Sequence, residues 1–509
     1  MNIRKLLTRL VSLVLIAVFL PTVAMADTWY LEDGSITVSA TESGQNVSQG
    51  GVTREDSAPV IRNRDSSAST TNNVTIRADT GATANVTLED TNIDTTGGAG
   101  PKGAGDAAVR TEGGGNVNLN VELDNTLQSG NTHAGVEKGN GGNLTIGSES
   151  GSGQLVAVGA DGGAGIGSED RLASGNYNVG NITITGGDIF ATGNGGGAGI
   201  GGGWYCSASD ITITGGNVTA VGKEDNPNRI GGAGIGGGGS QSSNAGGGSN
   251  LKITGGRVTA VGGNFSAGIG GSIGSNGDNI TISDAEVIAI GGTCAAGIGG
   301  GCRLGNGIVG QGTNISISGS ANVKAAGGVG DSMDGAGAAI GAGGSHQGTT
   351  AQEGAADTSG LSPDGSVERL DPGTTFDIPQ PKPRSSFPKP APDPVAVEEE
   401  PQPVKAALYR VIDDAGKALP VETKQEDGVL LLTAQADIAI LEGAISGLQT
   451  LQSRGIDTIT FTNGTISVSF SLAEVIAKGA SSDVYRLTLS GGEANFTLAD
   501  ADITALLGK

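Results

Sequence analysis

Apolar and polar residues alternate in short bursts along most of this chain, and the bursts return. The run from Asn181 to Gly203, NITITGGDIFATGNGGGAGIGGG, holds three of them. Ile182 and Ile184 alternate with Thr183 and Thr185, and Ile189 and Ala191 alternate with Phe190 and Thr192. Ala198 and Ile200 make a third, shorter piece. A period of two is that of a β-strand with one face inward. The glycines between the runs predict turns, because glycine tolerates positive φ. The unit returns, altered, from Asp210, Asn250, Asn279 and Asn314, and an earlier copy starts at Asn143; successive starts lie 29 to 40 residues apart. Constant strands with loops of variable length predict a solenoid.

One unit has too few apolar side chains for a core of its own, so units must stack. Stacking aligns Ile182, Ile211, Leu251, Ile280 and Ile315 in one inward column. Ile189, Val218, Val258, Val287 and Val323 form a second, and Ile200, Ile235, Ile269, Ile298 and Ile340 a third. The predicted fold is mainly β: a right-handed, single-stranded parallel β-helix. The Asn or Asp that opens each unit (Asn143, Asn181, Asp210, Asn250, Asn279, Asn314) suits a stacked turn in the left-handed region.

Four segments follow from the changes of texture. Residues 1–26 read as a secretory signal peptide: Arg4, Lys5 and Arg9, then the apolar run from Leu10 to Leu20, then Ala24-Met25-Ala26. That run is short of the roughly 20 residues that span a bilayer. The expected location is therefore extracellular, with no membrane segment after cleavage. Residues 27–348 are the β-helix, its first coils more divergent and more charged. AAVR at Ala107 and HAGVE at His133 stand where AGIG stands later, and Trp29-Tyr30 suits a cap on the first coil. Residues 349–404 read as a disordered, proline-rich linker, since eleven of the sixteen prolines lie between Pro363 and Pro403. Residues 405–509 read as a small α+β domain. Asn463-Gly464 between two alternating runs predicts a hairpin, and Ile438, Leu441, Ile445, Leu448 and Leu451 follow helical spacing.

The run ITITGGNVTAVG followed by GGAGIGGG, from Ile211, resembles the secreted, glycine-rich parallel β-helix proteins of Gram-positive gut-type bacteria. These are described as carbohydrate-binding-domain or cell-surface repeat proteins. The resemblance covers roughly residues 35–345 and implies architecture more than activity, since such solenoids host lyases, hydrolases, adhesins and passive binders. Similar C-terminal modules accompany these repeats, with no activity implied; association with the cell wall through the C-terminal domain is a separate expectation.

Composition narrows the function. A formal charge of −23 gives no basic face for nucleic acid. No phosphate-loop motif occurs, GGAGIG lacks the aspartate of the calcium-binding nonapeptide, and no cofactor or metal site is expected. The histidines, His133 and His346, stand far apart, and His133 reads as an exposed substitution. Cys294 and Cys302 flank AAGIGGG, where a disulfide or two unpaired thiols both fit; Cys206 is left over. The motifs GHG and RIK of pectin-hydrolysing β-helix enzymes are missing, and Asp161, Asp188, Asp210 and Asp278 are scattered. Catalytic residues are therefore not assigned.

Aromatic residues make one cluster. Tyr177 and Trp204-Tyr205 fall in the loop between AGIG and the next strand in consecutive coils, and Phe190 takes an outward slot where later coils have Thr219 and Thr259. A row of rings can stack on sugars, or can shield a loose glycine loop. The expected function is a non-catalytic extracellular binding or adhesion scaffold for a polysaccharide or glycan. A polysaccharide lyase or hydrolase, and a purely structural surface protein, stand as alternatives.

Overall fold

A computed structural model describes residues 27–96, 106–130, 132–170, 178–224, 230–241, 246–303, 308–345, 351–384 and, with short breaks, 409–508. The signal peptide, Tyr177, His346 and linker residues 385–404 lie outside the described residues. The chain divides into two compact units, Met1–Ala391 and Pro392–Lys509.

The first unit is a parallel β-helix. Each regular coil gives one strand to each of three sheets, as in Ile182–Ile184, Asp188–Asn194 and Ile200–Gly201. Among the described residues the first and third sheets have twelve strands and the second nine. The predicted columns pair in register. Ile182, Ile211, Leu251, Ile280 and Ile315 are successive partners in the first sheet. Ile189, Val218, Val258, Val287 and Val323 are partners in the second. Ile200, Ile235, Ile269, Ile298 and Ile340 are partners in the third. All fifteen are at most 2% exposed, so each contributes about 1.5–3 kcal/mol by burial.

The motif AGIG is dictated residue by residue. Ala233 and Ile235 point into the core. A Cβ on Gly234 would stand 2.5 Å from the Val261 nitrogen and 2.6 Å from the Gly268 oxygen, both backbone of the next coil. Gly236 has φ +137°, and the same conformation recurs at Gly201, Gly270, Gly299 and Gly341. The coil opener behaves as expected in the later copies: Asn181, Asp210, Asn250, Asn279 and Asn314 have φ between +50° and +57°. Asn143 lies outside that region; its N–H is held by Asn116 Oδ1 at 2.9 Å instead.

Among the early strands, Ile36–Thr41 and Val74–Ala78 join the third sheet. Ile36–Thr41 continues through the antiparallel strands Gly44–Gln49 and Val52–Glu55. Trp29 is 7% exposed in the first coil, its indole N–H donating to Asp56 at 2.9 Å.

The segment expected to be a free linker from residue 349 is otherwise in its described part. Ala356–Asp357 and Ser366–Leu370 pair with the last regular strands and add one more coil. Residues 371–384 then turn back and lie along the outer face of the second sheet. Gly373 N–H donates to Gly327 O at 2.8 Å, Lys382 Nζ stands 2.8 Å from Asp188, and Arg384 donates to Ser66 O at 2.8 Å and to Asp124 O at 2.5 Å. Composition predicted extension; it carried no trace of the face that receives the extended chain.

The second unit has its own core, built around Leu432, Phe461, Phe470, Tyr485 and Phe496. The predicted hairpin forms from Thr458–Thr462 and Ser467–Ser471, followed by the helix Leu472–Ile476 and a second hairpin, Val484–Ser490 with Glu493–Leu498. The helix expected from Ile438 begins at Ile445; Ile438–Ala444 is a strand. Residues 439–442 are buried consecutively, so that strand is covered on both faces and its apolar run imitates a helix.

Candidate functional site

The described aromatic residues of the expected cluster, Phe190, Trp204 and Tyr205, do not form one row. Trp204 is only 5% exposed, and its ring lies over Gly196 and Gly239, so it has no open face for a sugar. Tyr205, half-buried, meets it edge-on with 5.5 Å between centroids. Phe190 belongs to a different sheet: it is the second-sheet partner of Thr219, and Pro379 of the returning segment lies beside it. The rings lie apart because the Trp204-Tyr205 loop follows the third-sheet strand Ile200–Gly201, whereas Phe190 is on the second-sheet strand Asp188–Asn194. Trp204 fills space that glycines leave, which is the shielding role.

His133 is not an exposed substitution. Its side chain is 12% exposed and that of Glu137 8%, and His133 Nδ1 lies 2.6 Å from Glu137 Oε2. Glu137 sits on the third-sheet strand Val136–Lys138, where its register partners are Arg110 and Gly167. Arg110 Nε lies 2.8 Å from Glu137 Oε1, and Glu169 Oε2 is 3.5 Å from His133 Nδ1. The hydrogen bond to Glu137 holds the His133 pKa above its usual value, against desolvation and the charge of Arg110. Beside it, burial lowers Lys138 to about 8, with Nζ donating to Asn140 O. The signal was in the sequence: in AAVR and HAGVE a charged residue stands where AGIG has its last glycine.

One ligand atom each from His133, Glu137 and Glu169 lies within 4.8 Å of the others. Two donors on one tetrahedral zinc stand roughly 3.3 Å apart, and the His133–Glu137 pair, at 2.6 Å, is at hydrogen-bond separation instead. Arg110 already supplies the positive charge. The arrangement is a self-neutralised ion cluster bracing three early coils.

Cys294 and Cys302 form a disulfide with Cα atoms 5.2 Å apart, across the third-sheet strand Ile298–Gly299. Cys206 is buried and outside it. Replacing both Cys294 and Cys302 with alanine is expected to cost about 2 kcal/mol, the short-loop end of the usual range. Urea unfolding of the variant, beside wild type with and without dithiothreitol, measures this; coincident curves for all three would show no contribution.

Among the described residues, one column on the outside of the first sheet is exposed or half-buried throughout. Asn85, Asn118, Thr145, Thr183, Thr212, Lys252, Thr281, Ser316 and Asp357 are successive register partners on the outside of the first sheet. Eight steps between these nine rungs, at about 4.8 Å each, make a column of roughly 38 Å. Beside it runs an amide ladder: Asn250 donates to Asp210 at 3.0 Å, Asn279 to Asn250 at 3.2 Å and Asn314 to Asn279 at 3.1 Å.

The β-helix repeat family matches residues 182–204, 211–239, 251–274 and 280–302. Each match opens on a member of the first inward column and runs past the AGIG strand. These four stretches are similar to that family, and the unit that contains them has the parallel β-helix fold. No curated protein and no solved structure matches the chain. The matched coils are the regular ones; the His133 cluster and the returning segment lie outside them.

Proposed function

We propose that the protein is an extracellular, non-catalytic binding and adhesion scaffold, and that its ligand is an extended polysaccharide laid along the first sheet. The column from Asn85 to Asp357 carries this reading. Hydroxyls and amides occupy seven of its nine positions, Lys252 and Asp357 being the exceptions, and a polymer with repeating hydroxyls meets similar partners many times, so that weak contacts accumulate. Donors and acceptors of both kinds suit sugar hydroxyls, whereas the formal charge of −23 disfavours polyanions. The second sheet is less available, since residues 371–384 occupy its outer face. The C-terminal unit is proposed to hold the protein at the cell wall.

Replacing Thr183, Thr212 and Thr281 together with glutamate is expected to lower retention on a glycan array at least tenfold while circular dichroism stays unchanged. Undiminished retention would remove this face from consideration. New reducing ends or unsaturated sugars, released from a glycan by the intact protein, would replace the scaffold by the polysaccharide-degrading alternative. Deleting residues 405–509 is expected to abolish attachment to cells without altering glycan retention.

A further inference from the structure

We propose that the outer face of the second sheet is a docking groove for an extended, proline-rich peptide that ends in basic residues, and that residues 373–384 are its resident occupant. The proposal concerns a different face from the glycan reading and does not depend on it. Polyproline II has three residues per turn, so positions three apart share one side. Gly373, Phe376, Pro379 and Lys382 are such a series, and each meets the sheet. Gly373 N–H bonds to Gly327 O. Phe376 borders a cavity of about 440 Å³ with Ile288, Lys324 and Glu368. Pro379 closes one of about 200 Å³ over Phe190 and Thr259. Lys382 pairs with Asp188.

The span also fits. Gly373 sits at the strand Asn322–Ala326 and Arg384 at Asp124–Gln128, six strand steps away in the second sheet. Six steps at about 4.8 Å make roughly 29 Å, and eleven residues at about 3.1 Å reach roughly 34 Å. The sheet reads backbone as well as side chains. Gln154 accepts from Lys382 N–H at 2.8 Å and donates to Lys382 O at 3.2 Å, an amide clamp on an extended chain. Arg384 enters a cage of carbonyls from Ser66, Thr91 and Asp124, with Asp90 at 3.5 Å, and is 18% exposed. Spaced pockets, a backbone clamp and an acidic end, here Asp188 and Asp90, are elements by which a groove can hold an extended proline-rich ligand.

A tethered occupant has a local concentration in the millimolar range, so a free peptide competes only when the tether is weakened. The test uses the full chain carrying Lys382→Glu and Arg384→Glu, and a fluorescent peptide of residues 371–386 with the native sequence. Fluorescence anisotropy is expected to show at least tenfold tighter binding to this variant than to wild type. Adding Gln154→Ala and Asp188→Asn is expected to erase the gain, and a scrambled peptide is expected not to bind. Equal binding to variant and wild type, no binding to either, or a gain that survives the groove substitutions would each overturn the proposal.

Discussion

Replacing Gly234 with alanine is expected to destabilise the β-helix by about 3 kcal/mol or more, the upper end of overpacking costs. The added methyl would lie 2.5 Å and 2.6 Å from backbone atoms of Val261 and Gly268. Those atoms belong to the next coil, whose N–H and C=O groups are bonded on both sides, so they cannot withdraw without opening the stack. Truncating the neighbouring Ile235 to alanine is expected to cost a similar amount, about 2–5 kcal/mol, through the cavity left in the third column. Adding one carbon to a glycine loop and deleting most of a core side chain thus come out alike. Gly186→Ala is the control: its nearest outside atom would be 3.7 Å away, and the change is expected to stay within about 0.5 kcal/mol. Solenoids open coil by coil. Urea unfolding is therefore read together with proteolysis between residues 222 and 270. A Gly234→Ala chain as stable and as resistant as wild type would show that successive coils are not packed at backbone contact.

Glu137→Ala is expected to cost about 3 kcal/mol near pH 6. Removing one partner of a buried ion pair leaves the other charges uncompensated; here these are Arg110 and His133, and Arg110 is a third exposed, which keeps the figure at the low end. The penalty is also pH-dependent. The groups facing His133 are Glu137, Glu169 and Arg110. Because its folded pKa is raised, the stability that His133 contributes is fully present below its unfolded value of about 6.5. It is lost as pH rises through the folded value. The difference between wild type and variant is therefore expected to be larger at pH 6 than at pH 8.5. A difference independent of pH would show that Glu137 acts through Arg110 alone.

The periodic part of the architecture was legible because it is written redundantly. Ile235 recurs as Ile200, Ile269, Ile298 and Ile340, and five copies of one inward position leave no second register. Non-repeating features were not legible in that way. The substitution of Glu137 and Arg110 at the glycine position was visible, but only the parallel register puts them opposite each other and brings His133 and Glu169 to the same place. The strand at Ile438–Ala444 imitated a helix because continuous apolar runs suit any element buried on both sides.

Sequence by itself determined the rungs: period two within strands, a repeat of 29 to 40 residues and the recurring glycines of the regular coils leave the backbone no other way to bury its apolar half. The tertiary structure alone decided what the surfaces are for. It placed Trp204 inside and Phe190 on another sheet, left the outer column of the first sheet exposed or half-buried and laid residues 371–384 over the second. Inward positions are specified by their own hydrophobicity, whereas an outward residue's role depends on which distant segment comes to lie against it.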